Sequence, residues 1–311
     1  MKAHSLKAHF DVTGQVDVTD PIAVCAAVKA LFTERYPGYD FSLLDILYRD
    51  FSLLYRGEYQ GFLACDTSYH DMQHVLDVSL AMARLVDGYD INQAGNQALG
   101  PDLAMLGMVI AIFHDSGYIR RSNDEQFHQG AEYTKTHVSR SARFMAEYLP
   151  SIGLSDWVPF AEQLVHFTGY EVVPADIHVS EEKHRIIGAL VGTADVIAQM
   201  ADYAYLEKCR DRLYPEFEAG GINRQTNADG TERIVYSSAE DLLIKTPQFI
   251  KNTITERLDG YFGGLFHHVE AHFGDRNYYM EALEKNCRHL EYLLAQDDPT
   301  LLTQSSLRPE H

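Results

Sequence analysis

The feature that most constrains this 311-residue chain is an apolar run, LAMLGMVIAIF (103–113), that ends directly in His114-Asp115. The run is apolar on every side, which is not typical of a surface helix, and it is shorter than the roughly 20 residues that cross a bilayer. It therefore predicts a helix buried at the centre of a folded domain. An imidazole and a carboxylate at the end of such a helix are costly to bury without partners, and a metal ion compensates both.

Helical signals recur along the rest of the chain. Asp20, followed by a proline, predicts the capped start of a helix. Ser237 is predicted to cap a later helix, and a long helix is expected over 247–272. Only the segment around Asp229-Gly230 predicts a β-hairpin. We therefore expect an all-α bundle of many helices with at most one small β-hairpin.

The charge of the chain limits its partners. Lys and Arg number 26 and Asp and Glu number 45, which gives a formal net charge of −19. Such a surface repels nucleic-acid backbones and anionic lipids, so we expect neither a nucleic-acid nor a membrane partner. A small anionic substrate would need a local positive group, and a metal ion is suited to that role. The four cysteines are scattered without a CxxC pair, which is typical of reduced thiols in a cytoplasmic protein.

Two histidines near residue 70 form a second candidate ligand motif. Within the segment YHDMQH, His70 and His74 are spaced i, i+4, so they would share one face of the helix predicted over 69–86. Side chains on one helical face can serve a single site. The alternative interpretation is a pair of surface histidines.

Asp195 is the third candidate ligand. It lies inside an apolar, glycine-containing helical stretch, IIGALVGTADVIAQM (186–200). A carboxylate in such surroundings needs a cation or several hydrogen-bond donors. The alternative to a metal ion is an ion pair with Arg185 or Arg212.

In chain order, His74, His114-Asp115 and Asp195 resemble the H…HD…D pattern that gives the HD superfamily its name, over about residues 65–215. This resemblance implies a metal-dependent phosphohydrolase built as a bundle of helices. It divides the chain into an N-terminal arm with the first helix (1–40), an HD-type catalytic domain (41–295) and a flexible tail (296–311).

Two segments narrow the resemblance to the catalytic domain of cyclic-nucleotide phosphodiesterases. YHDMQHVLDV (69–78) is similar to that family's YHN-x-x-HA-x-x-V signature. LYPEFEAGG (213–221) is similar to its EEFF-x-QGD stretch. The chain departs from the family at Asp71 and Val75, and also after the HD pair, where HDSGYIR lacks the second histidine of HDVDHxG.

The resemblance also implies two metal ions. The four residues of the H…HD…D pattern would hold one ion, and Asp115 would bridge to a second ion held by His137 and His166. The imidazole-rich set favours Fe, Mn or Zn, with Mg as a compatible partner. Two such ions can share a water and lower its pKa enough to supply hydroxide. His70 resembles the family's proton donor to the leaving oxygen, so His70 and Asp115 are the predicted catalytic residues.

The reaction implied by the resemblance is hydrolysis of a phosphodiester, with cAMP or cGMP as the favoured substrate. The family holds its purine with a glutamine and a phenylalanine at a Q-x-x-F spacing that this chain does not reproduce. The predicted partner is a small-molecule phosphoester, and the sequence is also compatible with a homodimer. The predicted substrate contacts are Tyr69, Gln199, Gln248 and Phe249.

Other functions remain open at this stage. HD proteins that resemble inositol oxygenase use the same ligand order in a di-iron site that reacts with O₂, and the ligands alone do not separate that chemistry from hydrolysis. A phosphomonoesterase or nucleotidase of the HD superfamily is a further alternative. The third is a ligand-binding or regulatory module without turnover. His70 favours hydrolysis, because an oxygenase does not require a proton donor at that position.

Overall fold

The structure, a computed structural model, describes residues 8–93, 95–227, 229–296, 298–304 and 307. The regular secondary structure of these residues is helical apart from one antiparallel pair of short strands, which confirms the predicted all-α fold with a small hairpin. The strands are β1 (Arg224–Thr226) and β2 (Glu232–Ile234). The α-helices are α1 (Pro21–Arg35), α2 (Leu43–Arg56), α3 (Met72–Asn92), α4 (Pro101–Phe113), α5 (His137–Ser151), α6 (Val158–Leu164), α7 (Glu182–Ala201), α8 (Tyr205–Lys208), α9 (Tyr214–Ala219), α10 (Ala239–Asn252), α11 (Val269–Phe273) and α12 (Tyr278–Leu294).

Helix α4 forms the centre of the fold. All of its residues from Ala104 to Phe113 are buried, as the apolar run predicts. Helices α3 and α7 pack against α4 and against each other. The stretch Gly95–Tyr118 is long and apolar enough to cross a membrane, with a mean hydropathy of 1.3, but 67% of it is buried inside the protein. Such burial is typical of the core helix of a soluble protein.

Side-chain caps set several of the helix boundaries. Asp20 accepts a hydrogen bond from the backbone N–H of Ile22 and begins α1, as predicted. Helix α10 is capped by Ser238, which accepts from the N–H of Asp241. The predicted cap at Ser237 is therefore wrong by one position.

The helix predicted over 247–272 has different limits in the structure. It begins already at Ala239, and after α10 it continues as a π-helical stretch, Thr253–Tyr261. It ends there because Gly263 and Gly264 adopt left-handed backbone conformations, with φ of 61° and 72°. A second π-helical stretch, Cys209–Leu213, joins α8 to α9 and brings α9 beside the functional site described below.

A buried ion pair ties the N-terminal arm to the rest of the fold. Arg84 on α3 donates from Nη2 to Asp11 at 2.5 Å and from Nη1 to the hydroxyl of Tyr279 at 2.9 Å. Asp11 also accepts three backbone N–H groups of the arm itself. The buried side chains of α1 belong to the same hydrophobic core as those of α3 and α4. Of the arm predicted over 1–40, residues 1–7 lie outside the described part of the chain.

Part of the segment predicted to be a flexible tail is packed against the fold. Leu302 is 4% exposed and Leu307 is 1% exposed. Arg210 donates hydrogen bonds to the carbonyl oxygens of Leu302 and Gln304, at 2.9 and 2.6 Å. The polar composition of the tail suggested disorder, but these two leucines bury enough apolar surface to anchor it.

Candidate metal centre

Four side chains from three helical regions meet at the centre of the molecule. His74 lies in the first turn of α3, His114-Asp115 directly follows α4, and Asp195 lies in α7. The Nε2 atoms of His74 and His114 lie 3.3 and 3.2 Å from Oδ2 of Asp115. Oδ1 of Asp195 lies 3.4 Å from the Nε2 atom of His74 and 3.8 Å from that of His114. The structure thus brings together the four residues assigned from the sequence to the first metal ion, and they are called the four-residue cluster below.

The backbone orients the imidazole of His114. Its Nδ1 atom lies 2.8 Å from the carbonyl oxygen of Ala111, which directs Nε2 toward the carboxylates. The backbone N–H of His74 donates to the side chain of Asp71, the cap of α3, at 3.0 Å. The end of α4 therefore fixes the ring of His114, and the cap of α3 fixes the backbone position from which His74 extends.

Three atoms of the cluster are buried without a hydrogen-bond partner: Nε2 of His74, Nε2 of His114 and Oδ2 of Asp115. The three residues are 6%, 1% and 2% exposed, respectively. One ligand atom from each lies within 4.8 Å of the others, a spacing at which a single ion could contact all three. A buried polar atom without a partner costs about 1–3 kcal/mol. A divalent cation would remove that cost, so the residues fit a transition-metal ion with nitrogen and oxygen ligands.

The charges of the cluster are strongly coupled. Burial by itself lowers the pKa of His74, but Asp115 and Asp195 raise that pKa to about 10. Burial by itself raises the pKa of Asp115, but His114 and His74 hold it well below its usual range. Without an ion, protons on the imidazoles therefore balance the carboxylates. A metal ion takes neutral imidazoles as ligands, so its binding would release these protons.

His137 faces the other oxygen of Asp115. It begins α5, and its Nε2 lies 3.7 Å from Oδ1 of Asp115. Burial lowers the pKa of His137, which favours the neutral ring that a metal ion binds. The close approach of α5 depends on Gly117, because a Cβ there would lie 1.8 Å from the carbonyl oxygen of His137. Asp115 thus lies between the two histidines of the four-residue cluster and His137, as a bridging ligand would.

His166 is not brought against Asp115. Within the described part of the chain, no ion pair of 4.0 Å or less joins the two residues, and Nδ1 of His166 is buried without a hydrogen-bond partner. Burial lowers the pKa of His166, and the charge of Glu171 opposes that shift. Glu171 also acts on His137. Of the two ligands predicted for a second ion, only His137 therefore approaches Asp115.

His70 lies just outside α3, because Asp71 and not His70 caps that helix. The prediction that His70 and His74 share a helical face is therefore wrong. The two rings still lie close together, with centroids 5.6 Å apart. His70 is held from two sides: its Nδ1 lies 2.6 Å from Oε2 of Glu216, and its ring stacks on Tyr118 at a centroid distance of 4.5 Å.

Glu216 is a functional candidate that the sequence reasoning did not identify. It is 4% exposed, and besides contacting His70 it accepts the backbone N–H of Tyr69 at 2.5 Å. The only sequence signal for it was the similarity of the segment 213–221 to a phosphodiesterase stretch. Glu216 and His70 are 146 positions apart in the chain, so no local pattern reports their contact. A buried carboxylate at Nδ1 fixes the orientation of an imidazole and leaves its Nε2 free to face a ligand.

A cavity of about 450 Å³ opens beside the cluster, a volume in the range of small-molecule sites. Of the predicted substrate contacts, Gln199 and Phe249 line it, and Phe249 is 41% exposed. Tyr69 is buried, and its hydroxyl donates to Oε1 of Gln199 at 3.2 Å. Gln248 does not line this cavity, and its exposed amide donates to Asn252 instead. The candidate catalytic and metal-binding residues in the cavity wall are His70, Asp115, His137 and Asp195.

The fold and the site together define an all-α protein with a buried His/Asp cluster that opens into a cavity. In a comparison with known families, the chain matches the Npun_R2479-like family over residues 58–265 and so belongs to that family. The matched segment contains the four-residue cluster as well as His70, His137 and Glu216. No curated protein and no solved structure matches the chain.

Proposed function

We propose that this protein is a metal-dependent hydrolase of a small phosphoester. The observation that carries the proposal is that one cavity is lined both by His70, which a buried carboxylate holds, and by Asp115 and Asp195 of the four-residue cluster. The cluster contains three buried ligand atoms without hydrogen-bond partners. The cluster suits a divalent cation, and His70 suits the role of proton donor for a leaving group. The net charge of −19 adds support, because an anionic substrate needs a local concentration of positive charge to approach this surface.

Each group has a distinct part in the proposed reaction. The four-residue cluster would hold one divalent ion, and His137 with Asp115 would supply ligands to a second. When bound, such ions supply hydroxide near neutral pH and neutralise charge on the phosphate. Glu216 holds His70 through Nδ1, so Nε2 is the ring atom left to carry a proton to the leaving oxygen. Tyr118 stacks on the same ring and limits its rotation.

The pair formed by His70 and Glu216 favours hydrolysis over the di-iron oxygenase alternative. An oxygenase needs ligands for iron and an open position for O₂, but it needs no carboxylate-held imidazole beside the metal. In this structure His70 lines the cavity next to Asp115, and it is fixed at 2.6 Å from a buried acid. A histidine held in this way beside the candidate metal ligands suits proton transfer to a leaving group.

The proton donor can be tested with cAMP and cGMP, the substrates favoured by the sequence resemblance. With protein supplied with Mn²⁺, we expect His70→Ala to lower kcat by about 10²–10⁴-fold, the usual contribution of a general acid. The bound metal content should stay unchanged, because His70 is not in the four-residue cluster. Turnover is measured by chromatography and metal content by elemental analysis.

The matched control for this experiment is His267→Ala. The His267 side chain is 62% exposed and pairs with Glu270 away from the cavity, so both turnover and metal content should equal those of the unsubstituted protein. Full turnover by the His70 variant would remove the proton-donor role. No turnover of any phosphoester by metal-loaded protein would remove the proposal itself, and O₂ consumption with iron would then support the oxygenase.

Metal binding should also be visible as a change in stability. A ligand that binds only the folded state at 1,000 times its Kd stabilises that state by about 4 kcal/mol. We therefore expect excess Mn²⁺ to raise the Tm of chelator-treated protein by several degrees, and EDTA to reverse the increase. Differential scanning calorimetry measures both. An equal Tm with Mn²⁺ and with EDTA would show that the cluster holds no such ion.

A further inference from the structure

Two parts of the wall of the cavity beside the candidate metal centre differ in the polarity of their side chains. Segments before residue 196 contribute mostly polar side chains, namely histidines, carboxylates, threonines and Lys135, together with Tyr118, Gly169 and Tyr170. Lys135 is the one Lys or Arg among the described residues of this wall. Segments from residue 196 to residue 249 contribute side chains that are almost all apolar or aromatic. These are Val196, Gln199, Met200, Tyr205, Leu213, Phe217, Ile222, Tyr236 and Phe249.

The aromatic part of this wall is formed by elements that meet only in the folded chain. Phe217 from α9 and Tyr236, which follows β2, stack with centroids 5.8 Å apart and an interplanar angle of 27°. Phe249 from α10 is 41% exposed, a large exposure for an aromatic side chain that lines a cavity. Exposed apolar surface inside a cavity is typical of a binding site for an apolar group.

Gln199 is the one amide among the described residues of this part of the wall, and the protein holds its orientation. Its Oε1 accepts the hydroxyl of Tyr69 at 3.2 Å, and its Nε2 donates to the backbone carbonyl of Asp195 at 3.2 Å. Each amide atom keeps one further lone pair or N–H, but these two bonds fix the direction in which it points. Turning the amide to match the edge of a nucleobase would leave the hydroxyl of Tyr69, a buried residue, without its partner, which is unfavourable.

We infer that the organic group of the substrate is apolar, an aryl or alkyl group, and that the cavity does not select a nucleobase through hydrogen bonds. The inference rests on the proposed phosphoester hydrolysis and specifies its substrate class. The phosphate would face the four-residue cluster and Lys135, and the organic group would lie against Phe217, Tyr236 and Phe249. Burying a phenyl-sized group in this way contributes at least about tenfold in affinity.

The test uses two phosphodiesters with the same leaving group, 4-nitrophenolate. One is 4-nitrophenyl phenyl phosphate, and the other is thymidine 5′-(4-nitrophenyl phosphate). With the Mn²⁺-loaded full chain, we expect kcat/KM for the phenyl ester to exceed that for the thymidine ester at least about tenfold, after correction for the uncatalysed rates. An equal or higher value for the thymidine ester would overturn the inference and support nucleotide recognition.

Two substitutions of aromatic residues by alanine, one in the cavity and one outside it, test whether the preference for the phenyl ester arises in the cavity. Phe249→Ala should lower kcat/KM for the phenyl ester about fivefold and that for the thymidine ester less than twofold. The matched control is Tyr292→Ala, because Tyr292 is 61% exposed and does not line the cavity, and it should change neither value. An equal loss for both esters in the Phe249 variant would contradict the assignment of this wall to the organic group.

A binding measurement tests the apolar subsite independently of whether the protein hydrolyses phosphoesters. Calorimetric titration of the Mn²⁺-loaded protein compares phenylphosphonate with methylphosphonate, neither of which is hydrolysed. Tighter binding of the phenyl compound by at least about tenfold supports the apolar subsite even if neither ester is turned over, in which case only the hydrolase proposal fails. Equal binding of the two phosphonates overturns the inference whatever the turnover.

Discussion

Replacing Asp115 with alanine is expected to abolish both metal binding and turnover. One oxygen of Asp115 lies 3.3 and 3.2 Å from two histidine nitrogens, and the other lies 3.7 Å from His137. Among the described residues, Asp115 is the one carboxylate within 4.0 Å of His137 as well as of His74 and His114, and the variant removes it. Loss of a single supporting group around a metal typically costs 10–100-fold in affinity, so the loss of a central ligand should exceed about 100-fold. Turnover should fall by at least about 1,000-fold, since a bound ion contributes several kcal/mol to the transition state.

The measurement combines elemental analysis of protein passed over a desalting column, calorimetry with and without Mn²⁺, and turnover. The matched control is Asp259→Ala, which removes an exposed carboxylate and should leave all three values unchanged. The Asp115 variant should also lose the increase in Tm that Mn²⁺ gives. Full metal content together with full turnover in this variant would show that the ion lies elsewhere.

Replacing Arg84 with methionine is expected to cause the second large effect, on stability. The guanidinium is the buried partner of Asp11, whose side chain is 2% exposed, and three backbone N–H groups of the arm hold that carboxylate in place. Methionine would leave the carboxylate buried without its cation. Breaking a buried pair in this way costs about 3–5 kcal/mol. We expect a loss of this size in the free energy of unfolding measured in urea at pH 7.

The loss of stability caused by the Arg84 substitution is expected to be larger at neutral pH than at low pH. Burial by itself raises the pKa of Asp11, but Arg84 and the hydrogen bonds from the arm hold that pKa below its usual 3.8. The ion pair therefore stabilises the folded state fully above the usual pKa and loses its effect as the pH falls below it. In the variant, protonation relieves the unpaired charge. The difference between the two proteins should be largest at pH 7 and shrink as the pH falls below about 4.

Two further variants test this explanation. Arg288→Met removes an arginine whose side chain is 72% exposed and pairs with Glu284 on the surface, so it should cost less than about 1 kcal/mol. The double variant of Arg84→Met with Asp11→Asn should recover part of the loss, because it removes the unpaired charge. A loss that does not change between pH 7 and pH 3 would show that lost packing, and not charge, dominates.

The site residues that the sequence predicted are those whose immediate sequence neighbours indicate burial. The apolar run of α4 requires burial on every side, so the position of His114-Asp115 at its end follows from composition alone. Asp195 was identifiable for a similar reason, because a carboxylate in an apolar helix needs a partner. The structure places the Nε2 atoms of His74 and His114 within 3.8 Å of carboxylate oxygens of both Asp115 and Asp195.

The remaining parts depend on contacts that local patterns do not report. The spacing of His70 and His74 is compatible with one helix, and only the hydrogen bond from the N–H of His74 to Asp71 shows that α3 begins between them. Glu216 meets His70 through the packing of α9, which no periodicity encodes. Gln248 and Phe249 were both predicted substrate contacts, but only Phe249 lines the cavity, because the two side chains leave α10 in different directions.

The ligands proposed for the first ion come from α3, the end of α4 and α7, and they extend from residue 74 to residue 195. No single helix or hairpin holds enough of them to bind an ion, so the unfolded chain and its proteolytic fragments should have little affinity for metal. Under the proposed function, a shortage of metal in the cell would raise the fraction of unfolded chains that proteases can degrade. The amount of this protein would then follow the supply of its metal, even at a constant rate of synthesis.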